Sequence, residues 1–125
     1  MILLLDAHAL LWWLADDPTL DAAARSAIVD PGSDVLVSAA TVWEISIKRA
    51  LGKLEAPDGI RGALDQTGFV GLPITLDDAE AAASLPSHHL DPFDRMLVAQ
   101  AARIDAVIVT RDAAFRPYGI SILSA

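Results

Sequence analysis

AVIVTRD, residues 106–112, decides the architecture. Four apolar residues and Thr110 run without a polar interruption, and the run stops at Arg111 and Asp112. A strand with one wet face alternates in polarity, whereas a short continuous apolar run reads as a strand buried on both faces. ILLLD, residues 2–6, has the same shape: an apolar run closed by a carboxylate. VLV at 35–37 is a third such strand, FVGLPIT at 69–75 contains a fourth, and ISIL at 120–123 is the last.

The segments between these strands read as helices. Residues 8–15 and 20–29 are two of them, and PGSD at 31–34 is the turn that follows. Ser38 can cap a helix over 39–51, with Gly52 just past its end. A short helix fits 58–67. Asp77 followed by Glu80 resembles a capping box for 78–84, which Pro86 ends. Pro92 sits where the helix over 93–104 begins. The order predicts an α/β fold: a central, mostly parallel sheet of about five strands between two layers of helices. In such folds ligands sit beyond the carboxyl ends of the strands.

The chain has 125 residues and is expected to form a single domain over 1–125. Hydrophobic residues make up 54% and charged residues 21%, which excludes a disordered chain. There is no cysteine, so disulfides, thiol chemistry and cysteine-ligated zinc are excluded. Asp6 and His8 interrupt the N-terminal apolar stretch, well short of the roughly 20 residues a membrane span needs. With no basic leader either, a cytoplasmic protein without membrane attachment is expected. The net charge of −8 is spread over both halves of the chain. A broad basic face for nucleic acid is therefore absent, and a polyanion would need a few placed side chains or bound cations. A basic partner suits this charge.

Four carboxylates share one predicted sheet edge. Asp6 follows the first strand and Asp112 the fourth. Glu44 lies nearly two turns into the helix after the second strand, and Asp94 in the first turn of the helix feeding the fourth. Each alone has an ordinary role: a cap for Asp6 and Asp112, a favourable helix-start charge for Asp94, an i, i+4 pair with Lys48 for Glu44. Together in a water-poor cleft they need cations. Oxygen donors without cysteine favour Mg2+, with Mn2+ as an alternative, over zinc. Such ions turn water into a nucleophile and stabilise the oxygen that leaves a phosphodiester.

LLLDAHALLWWL, VSAATVWEISIK, LDPFDRMLVAQA and VIVTRDAAF, in that order and spacing, resemble the PIN-domain ribonucleases, and more closely the VapC toxins of toxin–antitoxin pairs. The resemblance runs from residue 2 to about 123. It implies a PIN-like α/β/α sandwich and an acidic tetrad of Asp6, Glu44, Asp94 and Asp112, with Asp6 and Asp94 as principal magnesium ligands. It also implies RNA cleavage leaving a 5′-phosphate and a 3′-hydroxyl, a homodimer, and a cognate VapB-type antitoxin along the active-site groove. DNA would be contacted only through that antitoxin. Thr110 matches a hydroxyl position near the site. Ala7 stands where a threonine or serine is common, a departure that touches fine metal geometry.

Arg95 and Arg111, each beside one of the acids, are expected to contact substrate or orient carboxylates. Lys48, with Arg49 and Lys53, could hold phosphates or simply end a helix. His88 and His89 could run metal-free acid–base cleavage, but a polar loop leading into a helix is the preferred reading because no matched partner supports the pair. Trp12 and Trp13 point about 100° apart on one helix. Core packing accounts for one of them and for Trp43; the surplus tryptophan, with Leu10 or Leu11, is expected to give an apolar surface for a partner. Two other classes compete with a ribonuclease. One is a PIN-like binding module with little turnover, against which the intact tetrad stands. The other is a haloacid dehalogenase-type phosphatase, which wants DxD where this chain has His8.

Overall fold

The computed structural model describes residues 1–125. Its elements in order are β1 (Ile2–Leu5), α1 (Ala7–Leu14), α2 (Ala22–Val29), β2 (Asp34–Ser38), α3 (Ala39–Ala50), α4 (Ile60–Thr67), β3 (Val70–Leu72), α5 (Leu76–Ser84), α6 (Pro92–Ile104), β4 (Val107–Thr110), a 3₁₀ turn (Ala113–Tyr118) and β5 (Ile122–Ser124). All five strands pair in parallel, in the order β3-β2-β1-β4-β5. Leu3 is level with Val35 on one side and Val107 on the other.

Alternate residues of the strands feed two separate cores, as continuous apolar runs require. Leu3 and Leu5, with Val35, Val37 and Val109, pack against α1, α2, α4 and Ile45 of α3. Leu4 and Ile108 face the other way, onto Leu97, Val98 and Ala101 of α6 and onto Phe115. The sheet is thus covered on both faces. Its chain runs outward from β1 through β2 to β3, then returns to the other side of β1 for β4 and β5. That reversal makes the β1–β4 boundary the switch point, where the carboxyl ends of the strands leave a crevice.

The sequence placed every element within about two residues, the usual scatter of helix ends. Three details differ. The cap of α5 is Thr75 with Asp78, whose hydroxyl and carboxylate exchange hydrogen bonds with the reciprocal backbone amides, and not Asp77 with Glu80. Asp78 wins because its carboxylate also meets Arg103. β5 lies at Ile122–Ser124, shifted toward the C-terminus of the expected 120–123, because Val109 and Thr110 pair with Leu123 and Ser124. Trp43 is 62% exposed, whereas Trp12 and Trp13 are both half-buried against the core and Leu10 is fully buried. The surplus tryptophan is therefore Trp43, since α3 turns Glu44 and Ile45 inward and leaves its neighbour outside. No helix is long and apolar enough to cross a membrane.

Candidate metal centre

The crevice is built first by the end of β1. Asp6 caps α1, its Oδ1 accepting from the Ala9 amide at 2.9 Å. Its Oδ2 accepts from the Thr110 hydroxyl at 2.6 Å, so the last residue of β4 holds the residue after β1. Asp6 is only 7% exposed. Burial raises its carboxyl above the ordinary range and outweighs the opposing hydrogen bonds from Thr110 and Ala9.

Thr110 also accepts from the Asp112 amide at 3.0 Å. Asp112 caps the 3₁₀ turn, its Oδ1 accepting from Ala114, and directs Oδ2 at His89 Nε2, 3.0 Å away. The ordinary cap role and a place in the cluster are both real for this residue. The same His89 nitrogen lies 2.9 Å from Asp94 Oδ2. A chain of polar contacts therefore runs from Asp6 through Thr110, Asp112 and His89 to Asp94.

Asp94 sits in the first turn of α6, whose cap is Asp91; one Asp91 oxygen accepts from the amides of Phe93 and Asp94. Burial, then the charges of Asp91 and Glu44, push the Asp94 carboxyl up to about 7, with His89 opposing. Glu44 enters from α3, buried, and accepts from Lys48 Nζ at 2.7 Å. That hydrogen bond holds the Lys48 ammonium above its ordinary range, and Asp91 and Asp94 add to it. One turn before Glu44, on the same helix face, Thr41 is buried with its hydroxyl unpartnered.

The four predicted acids thus converge, with Thr110 and Lys48 among them. Arg95 and Arg111 do not. Arg95 donates to the carbonyls of Ala82, Ala83, Leu85, Pro86 and His89, which stitches the end of α5 and the following loop to α6. Arg111 donates to the carbonyls of Thr19 and Ala125 and lies over the Trp12 ring at 4.5 Å. Planar guanidinium groups with five donors suit such carbonyl gathering. Neither guanidinium contacts the four acids' carboxylates, although Arg111 shares a small concavity with Thr110 and Asp112. The residue the sequence underrated is His89, and the signal available was its place in HHLDPFD, on the loop that enters α6 at Asp94.

The donor set fits a divalent cation. Asp94 and Asp112 stand within ligand distance of each other at the crevice, and the buried carboxylates of Asp6 and Glu44 lie near enough for their charges to act on Asp94, with one ammonium, Lys48, opposing them. Carboxylate and hydroxyl oxygens suit a hard ion. A surface concavity of about 620 Å³ contains none of these acids; Val42, Trp43, Leu64, Phe69 and Pro73 give it apolar walls, and Arg61 and Asp65 also line it.

The chain matches the PIN domain family over residues 3–120. No functionally curated protein matches it. Among solved structures, it is similar to VapBC2 from Rickettsia felis bound to a promoter DNA fragment, at a TM-score of 0.72 and 12% identity over 99% of this chain and 98% of that one. FitAcB from Neisseria gonorrhoeae superposes with a TM-score of 0.64 at 21% identity, covering 98% and 96%. A toxin–antitoxin complex from Klebsiella pneumoniae gives 0.60 at 19% identity, covering 87% and 85%.

Proposed function

This chain belongs to the PIN-domain family, and from that premise we propose that it is a divalent-cation-dependent endoribonuclease, the toxin half of a VapBC-type pair. The observation that carries the reading is the burial of Asp6 and Glu44 near Asp94, whose carboxyl their charges help to raise, with Lys48 as the one ammonium beside them. A nuclease site of this kind keeps more carboxylates than cationic partners so that a metal ion can supply the missing charge, whereas a stability-driven core would pair every acid.

The bound Mg2+ or Mn2+ supplies water activation and charge stabilisation at phosphorus. Asp6, Glu44 and Asp94 hold it, Asp6 with both oxygens oriented by Thr110 and Ala9. Asp112, its side chain 46% exposed, lies at the rim where an RNA strand enters. Lys48, part-exposed beside Glu44, is placed to meet a phosphate. Water attack with rupture of the P–O3′ bond leaves a 5′-phosphate and a 3′-hydroxyl.

The partner is a cognate VapB-type antitoxin, and the chain acts as a homodimer in complex with it. The net charge of −8 suits an antitoxin segment with a basic residue aimed at the carboxylates, and DNA is contacted through that partner. The structural neighbours support this, the Klebsiella one being described as a toxin–antitoxin complex. The test is cleavage of end-labelled single-stranded RNA with Mg2+, Mn2+ or excess chelator. Cleavage that survives chelator removes the cation from the mechanism; wild-type protein that never cleaves, yet binds a partner tightly, favours the binding-module reading.

A further inference from the structure

His89 looks at first like a third metal ligand, because its Nε2 and the oxygens of Asp94 and Asp112 all lie within 4.8 Å of one another. Its other nitrogen decides otherwise. Nδ1 accepts a hydrogen bond from the Asp91 amide at 3.2 Å. A neutral imidazole carries one N–H, and the nitrogen that accepts cannot carry it. The proton therefore sits on Nε2, which donates to Asp112 Oδ2 at 3.0 Å and lies 2.9 Å from Asp94 Oδ2 without being directed at it. To ligate a cation, Nε2 would have to give that proton up and Nδ1 take it, leaving two N–H groups facing each other at the Asp91 amide.

The ring is also fixed on every other side. The Tyr118 hydroxyl accepts from the His89 amide at 2.9 Å and donates to the Pro86 carbonyl at 2.8 Å. Arg95 holds the His89 carbonyl. The ring meets the fully buried Phe115 edge-on, centroids 5.5 Å apart. A loop histidine with 13% side-chain exposure and this many fixed contacts is a built feature, not a solvated turn residue.

We infer that His89 is a positioning residue: its Nε2–H, locked in place by the Asp91 amide, holds Asp112 while its ring edge abuts Asp94, and it sets the spacing of their free oxygens for the cation without ligating it. The inference rests on the proposed cation-dependent function and names a residue that function does not use. Groups that hydrogen-bond metal-ligating carboxylates typically change metal affinity or activity by about 10–100-fold when removed.

The experiment uses the full chain with Mn2+ as the probe and compares wild type with His89→Gln, His89→Asn and His89→Leu. A glutamine amide can place a donor where Nε2–H was, while asparagine and leucine cannot. The measurements are Mn2+ affinity, kcat and KM on single-stranded RNA, the metal-free melting temperature, and the electron spin echo signature of a directly bound nitrogen. Expected are near-wild-type Mn2+ affinity and kcat for His89→Gln, a loss of about 10–100-fold for the other two with KM little changed, and no bound-nitrogen signal in wild type. A bound-nitrogen signal in wild type, or His89→Gln failing as badly as His89→Leu, overturns the inference in favour of ligation. Unchanged Mn2+ affinity in all three variants, with only the melting temperature lowered, overturns it in favour of a loop tie. Wild-type protein that neither binds Mn2+ nor cleaves RNA brings down the underlying function together with it, which the first two results do not.

Discussion

Asp78 and Asp94 occupy the same position, the third residue, of two packed helices, α5 and α6. Both are largely withdrawn from water, yet they end at opposite extremes. Asp78 receives a bidentate pair from Arg103 at 2.6 and 3.1 Å and belongs to a reciprocal cap with Thr75. Arg103 first, and the Thr75 hydrogen bonds with it, lower its carboxyl to about 2 against the cost of burial. Asp94 has a carboxylate, Asp91, where Asp78 has a threonine, and faces Glu44 and Asp6 where Asp78 faces an arginine. Its carboxyl rises to about 7. Same helix position, opposite surroundings: one acid is paired, and the other is left among like charges.

The largest expected effect breaks the comparison on activity. Asp94→Asn removes a charge from the proposed cation site with almost no change of shape. A cation is worth several kcal/mol of transition-state stabilisation, so RNA cleavage should fall on the order of 10³-fold. Asp78→Asn should leave the rate per folded molecule within a few-fold. Initial rates on the same RNA, at a temperature where both variants are folded, separate the two. Equal losses would mean that the acids are not functionally distinct.

Stability should reverse the order. Asp78→Ala removes half of the reciprocal cap, leaving the Thr75 amide without its side-chain partner, and breaks the Arg103 pair, a loss of about 2 kcal/mol. Guanidinium denaturation of metal-free protein is the measurement. In acid the same pair is lost by titration. A depressed folded value contributes stability above the ordinary carboxylate range and loses it as pH falls toward about 2.

How far this contrast could be read from sequence is instructive. The five strands and the four acids were legible, because continuous apolar runs ending in carboxylates specify both a buried strand and which end of it carries Asp6 or Asp112. TLDD and DPFD are both acidic helix starts, so no local rule tells Asp78 from Asp94. Arg103, the residue that decides, lies 25 positions from Asp78. The contacts of His89 were hidden for the same reason: its partner Asp112 is 23 residues away. The carbonyls that Arg95 and Arg111 gather could not be read either, because nearness in sequence to an acid says nothing of which way a guanidinium reaches. Trp43 was expected inside because adjacency to Glu44 was visible and the face it occupies was not.

A smaller effect sharpens the comparison. Without cation, Asp94→Asn should stabilise the fold by roughly 0.5–2 kcal/mol, the range for relieving a functional site. The sign follows from the raised folded value. The repulsive cost is full above about 7, shrinks as pH falls from there, and is gone below the ordinary carboxylate range. Melting curves at pH 8 and pH 5 should therefore show the gap between variant and wild type narrowing in acid. Magnesium should raise the wild-type melting temperature by mass action and the variant's much less. A variant that melts below wild type at pH 8 would make Asp94 a structural acid like Asp78.

The smallest effect isolates one cause of the difference. Asp91→Asn keeps a cap, since asparagine and aspartate cap helices about equally well. It removes only the negative charge, the second largest cause of the Asp94 shift after burial. Two consequences for stability oppose each other. A charge that favours the helix start, worth about 0.3–1 kcal/mol, is lost, and a repulsion of similar size is relieved. The net change in melting temperature should therefore be near zero, and the melt is the wrong observable. The titration of Asp94 is the right one. Followed through its carboxyl carbon by nuclear magnetic resonance in metal-free protein, it should move down toward the ordinary range while staying above it, because burial and Glu44 remain. The amide that fixes His89 is backbone and is retained, so the Asp94–His89–Asp112 bridge should persist. An Asp94 titration that does not move would place the whole contrast with Asp78 in burial and Arg103, and none of it in the choice of aspartate over threonine as the cap.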